Sequence, residues 1–326
     1  MRICIATSSD YVSDPWREDV WIKDALVEAG CTVEICDWMS DEDWLSFDAI
    51  FVSSAWNIPS APQEFSDWLK SCEADQKKRF INDSALLELG NLKDGYWKVL
   101  GEAENGKLAE MLIPSLFALS ADGDLAEFIT DCREKWPDER LVFKPIISAS
   151  SRNTFVFDTS ATAQANDRAR IITSVDALNE KLGPIWSDHR LRGLIAQPYM
   201  PGIEIGEMSA TFVGRTLVGA VQKMPGFGPM PSSTLEQITD TAVLEALNDL
   251  GQRTITAITD HLSAPIRSRL DVIPHEDSLS ILEFEMVDPS CNFTPLDQDS
   301  QKAAIKALAD EIIKFAESQE RVLVNS

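Results

Sequence analysis

The chain has 326 residues, enough for two or three lobes, and its 44% hydrophobic and 25% charged content is that of an ordinary globular protein. A net charge of −24 argues against nucleic acid or an anionic membrane as the main partner, since both call for basic surfaces. An acidic chain that handles a polyanion must gather its few cations locally and use a divalent metal. Six scattered cysteines without a CxxC pair point to free thiols in a reducing compartment, and the three histidines have no zinc-ligand spacing with them. The N-terminal apolar run is too short for a signal peptide and no segment reaches membrane length, so the expectation is a cytoplasmic protein.

In chain order, residues 2–7 read as a buried strand, 20–29 as an amphipathic helix stopped by Gly30, and 31–36 and 49–53 as further strands. A helix over 65–72 and a short strand over 79–82 complete a parallel α/β lobe of about residues 1–85. Ligands of such sheets sit beyond the carboxyl ends of the strands, where Ser53, Ser54, Trp56 and Asn57 fall. These residues either contact a substrate or form a polar loop around one packed tryptophan. Residues 91–112 are polar and partly helical, interrupted by Gly95, Gly101 and Gly106; Lys98 and Lys107 lie here, as surface lysines or as functional ones.

The segment LVFKP at 141–145 is a strand with a lysine, Lys144, in an apolar setting, which is costly unless the ammonium meets an anion. The loop after it holds Ser148, Ser150, Ser151, Arg152, Asn153 and Thr154 and returns through a strand at 155–157. Such a loop can donate hydroxyls and amides to phosphates, or be a plain hairpin tip; the second cation, Arg152, favours phosphate. A helix over 161–182 leads to a strand at 193–200, GLIAQPYM. Pro198 and Pro201 stiffen a connector into which a flat ring could insert. Glu204 and Glu207 can accept hydroxyl hydrogen bonds or simply be solvated, and Lys223 ends the next strand. The Gly/Pro-rich stretch 226–233 reads as a substrate lid, 243–262 as a helix, and the closing helix puts Ile305, Leu308, Ile312 and Phe315 on one face.

Residues 266–273 and 279–287 alternate in strand fashion about a polar turn. Alternation puts Arg269 and Asp271 on one face of the first strand. On the second it puts Glu283 and Glu285 on one face with Ile281 and Val287, and Leu282, Phe284 and Met286 on the other. As a hairpin, the two strands would gather three carboxylates and a guanidinium. That cluster is either a site for a hard cation with an arginine suited to phosphate, or an acidic face turned to solvent.

The order of these features resembles the ATP-grasp superfamily of carboxylate–amine ligases over nearly the whole chain, in its glutathione synthetase-like branch. It is most similar to the D-cycloserine synthetase type, through DAIFVSSAWN (48–57), FSDWL (65–69), FKPIISAS (143–150), QPYMP (197–201), GEMS (206–209) and LEFEMVDPS (282–290). The resemblance implies an α/β protein of the ATP-grasp fold, in which a parallel N-terminal lobe joins two α+β lobes that clamp ATP. The expected divisions are a substrate lobe at 1–85, a linker at 86–120, a lid at 121–196 and a catalytic lobe at 197–326. It further implies ATP and two Mg²⁺ ions, replaceable by Mn²⁺, held by Asp271, Glu283 and Glu285. Phosphate would meet Lys144, Lys98 (less securely Lys107), Ser150, Ser151 and Arg152. Gln197, Pro198, Tyr199 and Met200 would form the adenine hinge, and Glu204 or Glu207 would bind ribose.

In the same resemblance Arg269 and Lys223 would act on the reacting groups, and Ser54, Trp56, Asn57 and Ser290 would meet the substrate. The implied reaction joins a small carboxylate and an amine through an acyl-phosphate, as in natural-product biosynthesis, with oligomerisation open. A peptide- or protein-modifying ligase and a non-catalytic nucleotide-binding protein are the alternatives. Two departures stand out: the loop 148–154 has no glycine, and Glu285 occupies a metal position where many relatives carry Asn.

Overall fold

A computed structural model describes residues 1–160, 170–223, 234–276 and 278–324. Three sheets organise them. The first is parallel, in the order β2-β1-β3-β4, from β1 (Arg2–Thr7), β2 (Thr32–Asp37), β3 (Ala49–Val52) and β4 (Phe80–Ile81). Its helices are α1 (Arg17–Glu28) and α2 (Pro62–Cys72), with α3 (Ser84–Gly90) and α4 (Lys93–Glu102) following. Proline at the first position of α2 suits a helix start, where no amide hydrogen bond is lost. The parallel lobe expected from the strand–helix alternation is therefore present.

The central sheet runs β5-β9-β6-β7-β8, from β5 (Leu116–Leu119), β6 (Leu141–Pro145), β7 (Phe155–Phe157), β8 (Ile171–Ile172) and β9 (Gly193–Pro198). Helices α5 (Leu125–Lys135) and α6 (Val175–Ser187) cover one of its faces through Phe128, Leu178 and Leu182. Of the helix expected over 161–182, the described part is a strand at Ile171–Ile172 followed by α6 from Val175. Ile171 and Ile172 are β-branched and pair with β7, and Ser174 caps α6 only afterwards by accepting from the Ala177 amide. Residues 161–169, and the whole lid expected at 226–233, lie outside the described residues. Residues 116–119, expected in the linker, are an edge strand of this sheet.

The third sheet is antiparallel, in the order β12-β11-β10-β13-β14. It comprises β10 (Glu207–Val213), β11 (Thr216–Lys223), β12 (Leu235–Gln237), β13 (Arg267–His275) and β14 (Ser278–Glu285), with the short helix α7 (Gly202–Ile205) before it. Its apolar face, with Met208, Ala210, Phe212, Leu270 and Phe284, packs against α4 and α8 (Thr241–Thr259). Burying a side chain of this size contributes about 1.5–3 kcal/mol. The approach of α8 is so close that a Cβ on Gly251 would meet the Phe212 ring at 2.1 Å. Helix α9 (Gln298–Val324) buries Leu308 and Ile312 in one cluster with Ile3 and Ile5 of the first sheet and Val213 and Val221 of the third.

Two further ties lock the parallel lobe onto β13 and β14. The Asn82 amide donates to the carbonyls of Arg267 and Met286, and its oxygen accepts from the amides of Ile266 and Arg267. Buried Arg267 donates to the Val52 carbonyl at 2.6 Å and to Ser53 Oγ at 3.1 Å. Charged donors that end on fixed carbonyls make such joints rigid.

Candidate active site

Strand register assembles the charged face. Asp271 lies opposite Ser209 on one side and Glu283 on the other, and Arg269 lies opposite Glu285. Residues opposed in neighbouring strands share a face, so these side chains project together. Glu207 and Lys223, opposed across β10 and β11, extend the row. One detail departs from strict alternation. The register shifts between Asp271 and Val272, so that Val272 opposes Ile281 and Leu282 is the extra residue. Ile281, expected beside the glutamates, is thereby buried with Phe284 and Met286, while Leu282, expected with them, lines the cavity.

On this face cations and carboxylates alternate. Arg269 grips Asp271 with two hydrogen bonds of 2.8 and 2.7 Å, reaches Glu285 at 2.8 Å, and donates to the Ser290 carbonyl at 2.9 Å. Ser209 Oγ also donates to Asp271. Lys223 lies 2.6 Å from Glu207 and 3.6 Å from Asp271. Burial opposes ionisation of Asp271, but Arg269 and Lys223 outweigh it and hold the carboxyl far below the usual range. Burial pushes Glu285 up to about 7, against the pull of Arg269 and helped by the charges of Glu283 and Asp271. Carboxylate oxygens of Asp271, Glu283 and Glu285 all lie within 4.8 Å of one another. An all-oxygen set at this spacing, with one member poorly neutralised, suits a hard divalent cation.

Two lysines face the cluster. Lys144 lines the cavity and forms no hydrogen bond or ion pair with a described residue. Burial lowers its pKa, partly offset by Glu283, and an anion bound beside it would favour the charged form. The other lysine is Lys93, which pairs with Glu283 at 3.0 Å and donates to the Ser148 carbonyl at 2.8 Å. The resemblance implied Lys98 here, less securely Lys107. Both are exposed, and Lys98 lies 4.0 Å from Glu102, outside the cavity lining. Helical periodicity held the signal: Lys93 shares a stripe with Tyr96, Trp97 and Leu100, the buried side of α4, whereas Lys98 points the other way.

A cavity of about 490 Å³, within the range of small-molecule sites, joins these groups to the expected hinge. Gln197, Pro198, Tyr199 and Met200 all line it. Gln197 Nε2 donates to Ser115 Oγ at 2.9 Å, and Arg140 lies over the Tyr199 ring at 3.9 Å. A Cβ on Gly202 would meet the Pro274 carbonyl oxygen at 1.9 Å, so only glycine lets the chain after the hinge rest on β13. Ser150 and Ser151 line the same cavity. Their loop turns without glycine by holding Ser150, Ser151 and Asn153 at φ of 53°, 52° and 57°.

Other expected residues sit elsewhere. Arg152 is exposed and lines a smaller, adjoining cavity of about 260 Å³ with Asn153 and Arg190. Glu204 is exposed outside the cavity lining and accepts from the Tyr199 hydroxyl at 3.2 Å. Glu207 does line the cavity, but it is held by Lys223 within the charged row. Ser54 is buried, its carbonyl accepting from the Ser8 amide and the Thr7 hydroxyl. Asn57 accepts from the Trp38 indole at 2.7 Å. Neither is in the cavity wall; their polar groups bond instead to Thr7, Ser8 and Trp38 at the ends of β1 and β2. Trp56 and Ser290 are in the wall, beside Asp288, which sequence reasoning passed over. Burial pushes the Asp288 carboxyl up to about 6 despite nearby Arg267 and Arg269.

Residues 3–82 match the family described as "D-cycloserine synthetase DcsG, N-terminal domain". Over 96% of this chain and 100% of the other, the fold is similar to the crystal structure of D-cycloserine synthetase DcsG, with TM-score 0.75 and 19% identity. D-alanine–D-alanine ligase from Bacillus anthracis, complexed with ATP, is similar over 98% and 99% of the two chains, with TM-score 0.63 and 12% identity. The chain has the ATP-grasp fold. A RimK-domain ATP-grasp protein from Sphaerobacter thermophilus is similar over 95% and 98% of the chains, with TM-score 0.61 and 14% identity. No curated protein sequence matched significantly. Among the described residues, no helix is long and apolar enough to cross a membrane.

Proposed function

We propose that the protein is an ATP-dependent ligase that joins a small, amino-acid-like carboxylate to an amine through an acyl-phosphate. One observation carries this reading: Asp271, Glu283, Glu285 and Arg269 line the same cavity as the unpaired Lys144 and the hinge Gln197–Met200. The ligase names of the similar structures support it.

In this reading the backbone of the hinge presents its hydrogen-bonding groups to the edge of adenine, between the apolar side chains of Val142, Met200 and Ile203. Lys144 and Lys93 bind phosphate oxygens, and the Ser150–Ser151 turn offers hydroxyls and amides to them. Asp271, Glu283 and Glu285 would hold magnesium, which when bound would supply positive charge to neutralise the phosphates; two ions suit this carboxylate count, and manganese suits the same oxygen donors. A substrate carboxylate oxygen attacks the terminal phosphorus and ADP leaves. The amine then attacks the carbonyl carbon of the acyl-phosphate, phosphate leaves, and the amine proton is lost to solvent. Arg269 stabilises the charge on the transferring phosphoryl group, and no covalent nucleophile from the chain is required. Six free cysteines, all buried, suit a cytoplasmic setting for this chemistry.

The test is ADP release from ATP and Mg²⁺ with amino acids and their derivatives, offered singly and in pairs. Substrate-dependent ADP and phosphate, matched by an amide product, is the expected result. Nucleotide binding without turnover on any small molecule, but with turnover on peptides, would move the substrate class.

A further inference from the structure

The smaller cavity, of about 260 Å³, holds an uncommitted cation. Among the described residues, neither the Arg152 side chain nor that of Asn153 beside it forms a hydrogen bond or ion pair, and both line this cavity. Its other charged groups neutralise each other. Arg190 holds Asp188 with two hydrogen bonds of 2.8 and 2.7 Å and donates to the Ser60 carbonyl at 3.1 Å. The guanidinium of Arg152 is thus left over, in a chain whose net charge of −24 gives an anion few places to bind.

The two cavities adjoin. Pro59, Ser148 and Ala149 line both, and the loop 148–154 divides them. Ser150, Ser151 and Thr154 of this loop line the larger cavity, and Arg152 and Asn153 the smaller. The partition is anchored: Lys93 donates to the Ser148 carbonyl at 2.8 Å, and the Arg152 amide to the Ala149 carbonyl at 3.0 Å. Opposite walls come from Ser60 of the parallel lobe and Asp188–Leu191 ahead of β9, which the Arg190–Ser60 bond ties together. Whole small molecules occupy about 300–1,000 Å³, so a space of this size takes one end of a ligand seated next door. A planar fork of N–H donors with a neutral amide beside it matches a carboxylate.

We propose that the smaller cavity is a carboxylate subsite, where Arg152 and Asn153 receive the far end of a substrate whose reacting end lies in the larger cavity. The proposal rests on the ligase reading and narrows it to acidic substrates. The carboxylate belongs either to an acidic amino-acid side chain or to the C-terminus of a short peptide.

The experiment is calorimetric titration of the full chain, saturated with a non-hydrolysable ATP analogue and Mg²⁺. The probes are pairs that differ only in carboxylate against amide: D- and L-glutamate with the glutamines, D- and L-aspartate with the asparagines, and trialanine with trialanine amide. In at least one pair the acid should bind about three- to tenfold more tightly at low salt, and added salt should shrink the preference, because exposed charges are screened. The pair that responds tells a side-chain carboxyl from a C-terminal one. Arg152→Gln, a change on an exposed loop, should erase the preference while the amides and the ATP analogue bind as before. Equal binding within every pair, a preference that survives Arg152→Gln, or no binding of any probe overturns the subsite. Weaker binding of the analogue to Arg152→Gln overturns it too, by placing the guanidinium on nucleotide phosphate. An analogue that binds with no carboxylate preference sinks the subsite alone, and one that does not bind sinks the ligase reading with it.

Discussion

Arg269 and Asp271, two residues apart on one strand, are joined by a pair of parallel hydrogen bonds of 2.8 and 2.7 Å in the buried floor of the cavity. Neighbours at this spacing share a strand face, and only the planar fork of arginine can hold both carboxylate oxygens while reaching Glu285 and Ser290 as well. Arg269→Lys keeps the charge and loses the fork. We expect ligase turnover to fall by about 10²–10³-fold, the usual effect of removing one fixed donor to developing charge. Steady-state ADP release checks this, and near-normal turnover would separate Arg269 from the chemistry.

Glu283 belongs to the carboxylate cluster proposed to hold the metal and pairs with Lys93 at 3.0 Å. Glu283→Gln should nearly abolish Mg²⁺-dependent turnover in a protein that still melts cooperatively. A variant that saturates with Mg²⁺ at the wild-type concentration would remove Glu283 from the metal set.

The two lysines of α4 give a paired comparison. Lys93→Ala should weaken nucleotide binding by about 10–100-fold, the loss of one charge-assisted contact of about 1.5–3 kcal/mol. Lys98→Ala should leave it unchanged, since Lys98 is exposed and its nearest partner is Glu102 at 4.0 Å. Calorimetry with an ATP analogue reads both, and the reverse order would overturn the assignment.

Buried Glu18 accepts from Ser290 Oγ at 3.2 Å and from the amides of Cys291 and Phe293 at 2.8 and 2.7 Å. The loop it holds presents the Ser290 carbonyl to Arg269. Glu18→Gln turns a donor toward donors and should cost about 1–3 kcal/mol in urea unfolding. Turnover should fall with little change in nucleotide affinity. An unaltered unfolding midpoint would show that the loop stands without Glu18.

Burial raises the Asp288 carboxyl to about 6, against Arg267 and Arg269 and with some repulsion from Asp19. Between its unfolded value near 4 and its folded value, the folded chain binds more protons than the unfolded one. Stability from this group is therefore highest at low pH and is lost as pH rises through about 6. Relative to Asp288→Asn, the wild type should lose stability on the order of 2 kcal/mol between about pH 4 and 7. Urea midpoints of both proteins at the two pH values check it, and parallel curves would contradict it.

Much of this protein was legible locally. Strand–helix alternation over 1–85 predicts the parallel sheet, and period-two spacing puts Arg269 with Asp271 on one face of the first strand and Glu283 with Glu285 on one face of the second. Side-chain direction along a strand is a property of the backbone itself, so each half of the charged row follows from sequence, and the pairing of β13 with β14 joins them. Lys93 was within reach of the same logic, on the apolar stripe of α4. Tertiary structure decided the rest. The bulge that exchanged Ile281 for Leu282 depends on the pairing of β13 with β14, which one strand cannot encode. The inward-facing Asp288 depends on the parallel lobe closing over it, bringing together Trp56 and a carbonyl 232 residues away. Long-range packing chooses which polar groups are buried together, and sequence spacing carries no record of that choice.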